Sequence, residues 1–465
     1  MTLIKSISGI RGTIGGREGD GLTPLDIVKF TSAFCAMMQQ KAGTKSIRIV
    51  VGRDARISGS MVNELVCNSL IGMGADVIDL GLSTTPTVEI AVPLEKAHAG
   101  IILTASHNPR QWNALKLLNE KGEFISAKEG EAMLELAESG TVEFATIDAL
   151  GKRENKDYLQ KHIDEILGFG LLNKELIKQA NLHIAVDAVN STGGIYVPAL
   201  LEALGVQRIK KLYCTPNGDF PHNPEPLPEN LKDISALVIA EKCDLGIVVD
   251  PDVDRLAFVC EDGTMFGEEY TLVAVADFVL SKKKGNTASN LSSTRALKDV
   301  TEKHGGTYTA SAVGEVNVVA SMKETNAVIG GEGNGGIIFP DSHYGRDALA
   351  GIALFLTHFA EKKLKMSELR DSYPKYFNSK NKIELKPSMD VDKILTEVQP
   401  LFPEAKINTI DGVKFDFADG WVHLRKSNTE PIIRVYAEHK SQAEADALAA
   451  QVIRAVSEIA GLAKV

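Results

Sequence analysis

Three aspartates alternate along one short stretch of the sequence: Asp250, Asp252 and Asp254. They follow an apolar run, Leu245 to Val249, which is typical of a buried strand. In an extended or tightly turned loop their carboxylates can converge on one hard cation, and Mg²⁺ favours a few carboxylates together with phosphate oxygens. The stretch therefore predicts a magnesium site that also takes a phosphate oxygen.

This aspartate loop has two other interpretations. In an EF-hand, Glu261 would complete the ligand set, but Arg255 stands where the turn needs glycine and residues 256–260 resemble a strand. In a dehalogenase-like phosphatase, Asp250 would be the nucleophile, which leaves no role for the serine loop around Ser106. A solvated acidic loop is disfavoured because the preceding strand is apolar.

Ser106 lies in a second polar loop, Thr104 to Pro109, which also follows an apolar run. The glycines of a nucleophile elbow do not flank it, and the adjacent His107 makes a conventional serine–histidine dyad awkward. A serine that carries phosphate needs nearby cations to offset roughly two negative charges. The aspartate-loop cation, Arg255 and Lys116 could supply them, so Ser106 is predicted to carry a phosphoryl group.

A third polar loop runs from Arg425 to Pro431, with Arg434 beyond it. Arginine binds phosphate through a bidentate fork, and hydroxyl and amide side chains add further donors. A surface turn would also use Ser, Asn and Pro, but the two flanking arginines favour a phosphate site. The uncharged polar side chains of this loop are Ser427, Asn428 and Thr429.

The elements that must position these loops alternate between strand and helix patterns. Thr23 and Pro24 predict the start of a helix that ends at Gly43. Three times an apolar strand runs directly into a polar or glycine-rich loop, the third being Ala327 to Gly330 into Gly331 to Gly336. Because ligands bind at the carboxyl ends of strands in open α/β sheets, we expect three similar α/β domains that contribute one loop each to a shared site.

The length and composition of the chain limit the classes of function that it can have. At 465 residues the chain predicts about three or four domains. The net charge of −10 disfavours nucleic acid or an anionic membrane as the main partner. The sequence shows no signal-peptide pattern and no apolar run near the roughly 20 residues of a membrane span. Five cysteines without a C-x-x-C pair suit buried thiols, so a cytoplasmic enzyme of small molecules is expected; the oligomeric state stays open.

Taken in order, these motifs resemble the α-D-phosphohexomutase superfamily over essentially the whole chain. The resemblance begins with Ser8 to Gly12 and Gly52 to Gly59, and it continues through the serine, aspartate, Gly331–Gly336 and Arg425–Pro431 loops. It implies an α/β protein of four domains: three similar α/β/α domains with mixed sheets and a C-terminal α+β phosphate-binding domain. The expected bounds are 1–153, 154–255, 256–366 and 367–465.

The resemblance also implies residue roles. Ser106 would be the phosphoserine, and Asp250, Asp252 and Asp254 would hold one Mg²⁺ together with a phosphoserine oxygen. Glu332 and Asn334 would bind sugar hydroxyls. The non-reacting phosphate would be held by Arg425, Ser427, Asn428, Thr429 and Arg434, and the catalytic set would include Ser106, His107, Lys116, Arg11 and Arg255.

One position departs from the family pattern. Many members end the sugar loop with histidine, whereas Gly336 stands here, which leaves His343, Lys116 and Arg11 as alternatives for the acid–base group. The Glu-x-Asn-Gly-Gly loop looks more like archaeal-type phosphoglucosamine mutases. The expected reaction interconverts hexose 6- and 1-phosphates through a hexose 1,6-bisphosphate. Glucosamine phosphate is the expected substrate, with glucose and mannose phosphates as alternatives. A sugar-phosphate phosphatase is the less favoured alternative function.

Overall fold

The computed structural model describes residues 2–6, 9–386, 389–426 and 432–462. Several residues named in the sequence analysis lie outside the described residues: Ser8, Ser427, Asn428, Thr429 and Pro431. The chain divides into two compact units. The first unit comprises Met1–Lys283 and Asn334–Arg370, and the second comprises Lys284–Gly333 and Asp371–Val465.

The first part of the first unit is a seven-stranded mixed sheet with helices packed against it. Its strands follow the order β1-β2-β6-β5-β3-β4-β7. The predicted first helix is confirmed, because Thr23 caps it and Gly43 ends it in a left-handed conformation. The elements are β1 (Ile4–Ser6), β2 (Gly9–Thr13), α1 (Pro24–Ala42), β3 (Arg48–Arg53), α2 (Gly59–Gly72), β4 (Asp76–Leu82), α3 (Thr85–Leu94), β5 (Ala99–Leu103), β6 (Trp112–Leu118), α4 (Ala127–Ser139) and β7 (Arg153–Asn155).

A four-stranded sheet follows in the same unit, with the order β11-β10-β8-β9. The strand before the aspartate loop pairs in parallel with β8 and antiparallel with β11. The predicted boundary between residues 255 and 256 therefore falls between two strands that pair with each other. The elements are α5 (Leu159–Leu167), α6 (Lys174–Ala180), β8 (His183–Asp187), α7 (Gly193–Ala203), β9 (Arg208–Leu212), α8 (Lys232–Glu241), β10 (Leu245–Val249), β11 (Leu256–Cys260) and α9 (Glu268–Lys282).

The second unit begins with three parallel strands in the order β13-β12-β14. The predicted third strand is present but longer than expected, because it continues to Glu332. That residue therefore ends a strand instead of standing in a loop. The elements are β12 (Asn286–Asn290), α10 (Arg295–Lys303), β13 (Tyr308–Ser311), α11 (Glu315–Thr325) and β14 (Ala327–Glu332).

The chain then returns to the first unit for residues 334–370. The long helix of this segment is buried along most of its length and packs against α9. Its Phe355 ring stacks on Phe258 of β11 with 3.9 Å between centroids, which ties this segment to the second sheet. The elements are β15 (Gly336–Ile338), α12 (Ala348–Lys362) and α13 (Met366–Asp371).

The C-terminal part of the second unit is an antiparallel sheet with the order β16-β20-β19-β18-β17. Its last helix packs on β16 and β20, so the predicted strand pair and terminal helix are confirmed. The elements are β16 (Phe377–Glu384), α14 (Val391–Glu397), β17 (Lys406–Asn408), β18 (Val413–Asp416), β19 (Gly420–Lys426), β20 (Ile432–His439) and α15 (Gln442–Ile459). Short 3₁₀ turns lie at Ile147–Ala149, Pro228–Asn230 and Gln399–Leu401.

Candidate active site

The serine loop and the aspartate loop meet, although they are far apart in sequence. Ser106 lies three residues beyond the end of β5, and Asp250 directly follows β10. The Ser106 hydroxyl donates a hydrogen bond of 2.8 Å to Oδ2 of Asp250. Ser106 has a φ of +48°, a left-handed conformation that is costly for a residue with a Cβ and often marks functional loops. The two loops therefore form one site at the carboxyl ends of their strands.

The three aspartates of this loop converge as predicted. One carboxylate oxygen from each of Asp250, Asp252 and Asp254 lies within 4.8 Å of the others, and all three residues are fully buried. Burial, together with the neighbouring charges of Asp252 and Asp254, raises the pKa of Asp250 well above its usual value. Three buried carboxylates this close repel one another, and a divalent cation would offset that repulsion.

Three other segments of the chain hold the backbone of the aspartate loop through hydrogen bonds. The carbonyl of Pro251 accepts hydrogen bonds from the hydroxyls of Ser191 (2.6 Å) and Thr192 (3.0 Å). The next two carbonyls, of residues 252 and 253, accept from the backbone N–H groups of Thr85 (2.9 Å) and Ala348 (3.2 Å). These contacts hold the loop in a shape that its own sequence disfavours, since residue 253 is a valine with φ of +63°.

The outer carboxylate oxygens of the loop are held by cations and a hydroxyl. Oδ2 of Asp252 accepts from Lys116 at 2.7 Å and from the Thr85 hydroxyl at 2.5 Å. Oδ2 of Asp254 accepts from Arg346 at 2.7 Å and from Lys116 at 3.2 Å. The inner oxygen, Oδ1, of each of these two aspartates is buried and has no hydrogen-bond partner among the described residues.

The inner oxygens of Asp252 and Asp254 indicate whether a metal ion would fit this site. A buried carboxylate oxygen without a partner is costly, and oxygens of this kind are the ligands that Mg²⁺ prefers. The second oxygen of each carboxylate is oriented by its own partners, as the outer shell of a metal site requires. The residues present therefore fit a divalent, oxygen-binding cation held by Asp252, Asp254 and Asp250 beside Ser106.

Two of the predicted catalytic cations contact the loops of the site: Lys116 contacts the aspartate loop and Arg11 the serine loop. Burial alone lowers the pKa of Lys116, but Asp252 and Asp254 raise it above its usual value, so its ammonium stays charged at neutral pH. Arg11 on β2 donates from Nη1 to the Asn108 side chain at 3.0 Å, and burial lowers the pKa of Arg11.

Two further predicted catalytic residues lie beside these cations. Burial, and then the positive charges of Arg255 and Arg11, hold the pKa of His107 well below its usual value. Its imidazole is therefore neutral at neutral pH, and its Nδ1 lies 3.4 Å from the Ser106 hydroxyl. Arg255 forms an ion pair with Glu225 at 3.3 Å.

Arg346 is a residue of this site that the sequence reasoning missed. A Cβ added to Gly336 would lie 2.3 Å from Cδ of Arg346. The glycine that replaces the family's histidine thus leaves room for the arginine, which reaches across to Asp254. The signal in the sequence is the positive charge of Arg346, three residues after His343.

His343 has carboxylates facing both ring nitrogens. Its Nδ1 lies 3.3 Å from Glu89 and its Nε2 lies 3.4 Å from Asp347. Asp347 also accepts from Nε2 of His162 at 3.0 Å, and it caps α12. Burial alone would raise the pKa of Asp347, but these two histidines hold that pKa below its usual value. His343 therefore belongs to a buried network around the first turn of α12, and an acid–base role for it stays a prediction.

The predicted sugar loop divides between the units, with Glu332 in the second and Asn334 in the first. In the second unit, Oε1 of Glu332 accepts from the Asn290 side chain at 2.8 Å and from the Gly314 backbone at 3.2 Å. In the first unit, the Asn334 side chain accepts from the Gly336 backbone at 3.2 Å. Glu332 is therefore held in one orientation by the residues around it.

The predicted phosphate arginines lie on neighbouring strands of the second unit. Arg425 and Arg434 are directly opposite in the register of β19 and β20, so their side chains lie on the same face of the sheet. Arg434 is exposed. Nε of Arg425 lies 2.9 Å from Oδ2 of Asp411, which also accepts from the Val313 backbone at 3.0 Å. Two adjacent guanidiniums of this kind can bind a dianion.

Comparison with known proteins places the whole chain in one family. Residues 3–142, 160–263 and 267–376 match alpha/beta/alpha domains I, II and III of phosphoglucomutase/phosphomannomutase, and residues 378–455 match its C-terminal domain. The phosphoglucomutase/phosphomannomutase of Thermococcus kodakarensis is 36% identical over 93% of this chain and 95% of its own length.

Two further similarities cover nearly the full length. The phosphoglucosamine/phosphogalactosamine mutase of Sulfurisphaera tokodaii is 31% identical over 93% of this chain and 94% of its own. The crystal structure of a phosphoglucomutase/phosphomannomutase family protein from Burkholderia thailandensis has a TM-score of 0.86 and 27% identity, over 99% of this chain and 98% of the other.

The chain belongs to the phosphoglucomutase/phosphomannomutase family, within the α-D-phosphohexomutase superfamily. Its four α/β domains are the three α/β/α domains and the C-terminal domain expected from the sequence. It is an enzyme of the isomerase class, an intramolecular phosphotransferase that acts on hexose phosphates. Among the described residues, no helix combines the length and apolar character needed to cross a bilayer.

Proposed function

We propose that this phosphohexomutase interconverts hexose 6-phosphate and hexose 1-phosphate through a phosphorylated Ser106 and a hexose 1,6-bisphosphate intermediate. The observation that carries the proposal is the hydrogen bond of 2.8 Å between the Ser106 hydroxyl and Asp250. It places a nucleophilic oxygen at the edge of a buried triad of carboxylates. A phosphoryl carrier and its charge-neutralising site are thereby adjacent.

The chain's own residues support two transfers of a phosphoryl group. In the first, phospho-Ser106 gives its phosphoryl to the free hydroxyl of the bound sugar phosphate; the bond from phosphorus to the Ser106 oxygen breaks, and the proton of the sugar hydroxyl ends on that oxygen. In the second, the Ser106 hydroxyl takes the other phosphoryl of the bisphosphate, and its proton ends on the sugar oxygen that is released. Catalysis of such transfers depends mainly on positioning and on stabilising charge. Lys116 and Arg255 stabilise the charge that develops on the oxygens, and Arg11 holds the serine loop through Asn108.

The cation proposed for this site is Mg²⁺, held by Asp250, Asp252 and Asp254. When bound, it supplies positive charge that polarises the transferring phosphoryl group. The inner carboxylate oxygens of Asp252 and Asp254, which have no hydrogen-bond partner in the described part of the chain, support this assignment. We expect EDTA to abolish activity and added Mg²⁺ to restore it, as followed by turnover of a hexose 1-phosphate. Unchanged turnover in metal-free protein would refute the magnesium assignment.

Substrate binding is assigned to the remaining predicted residues. Glu332 and Asn334 are proposed to bind sugar hydroxyls, and the fixed orientation of Glu332 suits a selective acceptor. Arg425 and Arg434 are proposed to hold the phosphate that does not react, since their guanidiniums lie on one face of a sheet. Ser427, Asn428 and Thr429, which lie outside the described residues, are assigned to the same phosphate by the family resemblance.

Glucosamine phosphate is the sugar we propose as preferred substrate. The support is the Glu-x-Asn-Gly-Gly loop and the likeness to a relative named phosphoglucosamine/phosphogalactosamine mutase. Glucose and mannose phosphates are the alternatives, because a relative of similar coverage is named phosphoglucomutase/phosphomannomutase. A comparison of kcat/KM for the 1- and 6-phosphates of glucosamine, N-acetylglucosamine, glucose and mannose decides between them.

Mass spectrometry of the purified protein tests the covalent step directly. We expect a phosphate on Ser106 after incubation with glucose 1,6-bisphosphate, and none in Ser106→Ala, which should remain folded and lose activity by several orders of magnitude. Near-normal turnover by Ser106→Ala would refute the assignment. Phosphate found on Asp250 instead, with net release of inorganic phosphate, would favour a phosphatase.

A further inference from the structure

The segment Gly52 to Gly59 contributes to the family resemblance, but the proposed reaction gives it no role. In the structure it leaves β3 and leads into α2. Its Arg56 has a side chain that is 0% exposed, and so has Asp54, with which it forms an ion pair at 3.0 Å. A fully buried guanidinium is costly unless every donor is satisfied, so the partners of Arg56 indicate its purpose.

Arg56 binds the serine loop almost entirely through backbone carbonyls. Its Nη2 donates to the carbonyl of Asn108 at 2.8 Å and, in a shorter contact, to that of Ser106. Its Nη1 donates to the carbonyls of Pro109 at 2.8 Å and Trp112 at 3.1 Å. Its Nε donates to Asp54 at 3.0 Å. One side chain therefore binds three carbonyls of the loop that carries the nucleophile and the carbonyl of the first residue of β6.

The N–H donors of Arg56 show that it can position the serine loop but cannot bind the substrate. A guanidinium has five N–H donors, and the five contacts above use all of them. No N–H group is left to bind a substrate phosphate. The ring of Phe220 also covers the guanidinium at 5.1 Å from its centroid. Arg56 can therefore act on the reaction only through the loop that it holds.

The serine loop needs such an anchor because its conformation is unfavourable. Ser106 has a φ of +48°, and a residue in this region persists only when its surroundings over-determine it. A second contact acts from the other side of Ser106. Its backbone N–H donates to the Thr104 hydroxyl at 2.9 Å, and that hydroxyl donates to Asp54 at 2.6 Å. Asp54 thus links the arginine anchor to the amide of Ser106.

We propose that Arg56, oriented by Asp54, is the positioning residue that holds the Ser106 hydroxyl against Asp250 for phosphoryl transfer. The inference rests on the proposed role of Ser106 as phosphoryl carrier. It predicts that loss of the anchor slows transfer to and from Ser106, because a displacement of about 1 Å can cost about 100-fold in rate. Substrate affinity should change little, since Arg56 has no donor that could contact the sugar phosphate.

The test compares Arg56→Lys with the parent enzyme and with Arg110→Lys. Arg110 is a matched control because it directly follows the serine loop but is exposed, and it pairs with Asp219 at the surface. The rate of phosphorylation of Ser106 by glucose 1,6-bisphosphate is measured by rapid quench and mass spectrometry, together with kcat and KM. We expect Arg56→Lys to lose about 100-fold in both the phosphorylation rate and kcat, with KM within threefold, and Arg110→Lys to match the parent.

The inference is overturned if the parent is phosphorylated on Ser106 and active while Arg56→Lys keeps kcat within threefold, or loses only in KM. If the parent itself is neither phosphorylated nor active, the proposed function fails first, and the two failures are distinguishable. Should Arg56→Lys not fold, Thr104→Val and Thr104→Ser decide the question. We expect Thr104→Val to lose kcat at constant KM and Thr104→Ser to restore it; equal turnover by the two would refute the positioning role.

Discussion

Substitution of Gly336 by alanine should impair the site although it replaces no charged residue. The added Cβ would lie 2.3 Å from Cδ and 3.0 Å from Cγ of Arg346. Carbon atoms in contact lie about 3.5–4.0 Å apart, so the arginine side chain must shift by more than about 1 Å. Its hydrogen bond of 2.7 Å to Asp254 does not survive such a shift, because hydrogen bonds require N–O distances near 3 Å.

The size of the effect follows from the interaction that is lost. A hydrogen bond to a charged group contributes about 1.5–3 kcal/mol. Since about 1.4 kcal/mol corresponds to a tenfold change in rate, Gly336→Ala should lower kcat/KM by about one to two decades. Arg346→Ala removes the same interaction directly and should cost a similar factor.

A double-mutant cycle shows whether the two changes act through one contact. In the Arg346→Ala background the atoms that the new Cβ would meet first are gone, and the nearest remaining atom is Oδ1 of Asn334 at 3.2 Å. The double variant should therefore be no worse than Arg346→Ala alone. Steady-state kcat/KM at saturating Mg²⁺ is the assay. Gly170→Ala is the control, since its Cβ would meet no atom of the described residues within 4 Å.

Additive losses would refute this reasoning. If the double variant lost the product of the two single factors, with a coupling energy below about 0.5 kcal/mol, Gly336 and Arg346 would act independently. Parent-like activity in Gly336→Ala would refute it as well, because the clash would then be absorbed without moving the guanidinium.

Three further predictions follow from other contacts. Thr85→Val removes the hydroxyl that donates to Asp252 at 2.5 Å, so calorimetric titration should show Mg²⁺ affinity weakened by about 10- to 100-fold, whereas Thr85→Ser should bind like the parent. Asp411→Asn weakens the pairing with Arg425 at 2.9 Å and should raise KM about tenfold for 1- and 6-phosphates alike, with kcat retained; a change in sugar ranking would contradict this role. Burial alone lowers the pKa of His222, but its hydrogen bond with Asp187 raises it above the usual value. The stabilisation by that pair is therefore complete below the pKa of about 6.5 that His222 has in the unfolded chain, and it is lost as pH rises through the higher pKa of His222 in the folded protein. The difference in thermal midpoint between the parent and Asp187→Asn should therefore be largest at low pH and shrink above neutrality.

The sequence by itself determined the chemistry that the chain carries. Alternating aspartates after an apolar strand predicted a cation site, and three buried carboxylates converge there. The helix from Thr23 to Gly43 and the C-terminal strand pair were also readable, because caps, glycine stops and apolar periodicity act within a few residues. The order of the motifs sufficed to identify the family, since it needs no distances.

The tertiary structure decided which residues orient that chemistry. The pairing of Arg346 with Asp254 depends on a side chain that crosses the space above Gly336, and no local pattern encodes it. Likewise, the four carbonyls that Arg56 binds belong to residues 50 or more positions after Arg56 in the sequence. Lys116, a candidate for accepting a proton, holds its own proton because two buried carboxylates surround it. Contacts of this kind arise only when distant strands are packed side by side, so sequence spacing predicts the reacting groups but not the residues that hold them in place.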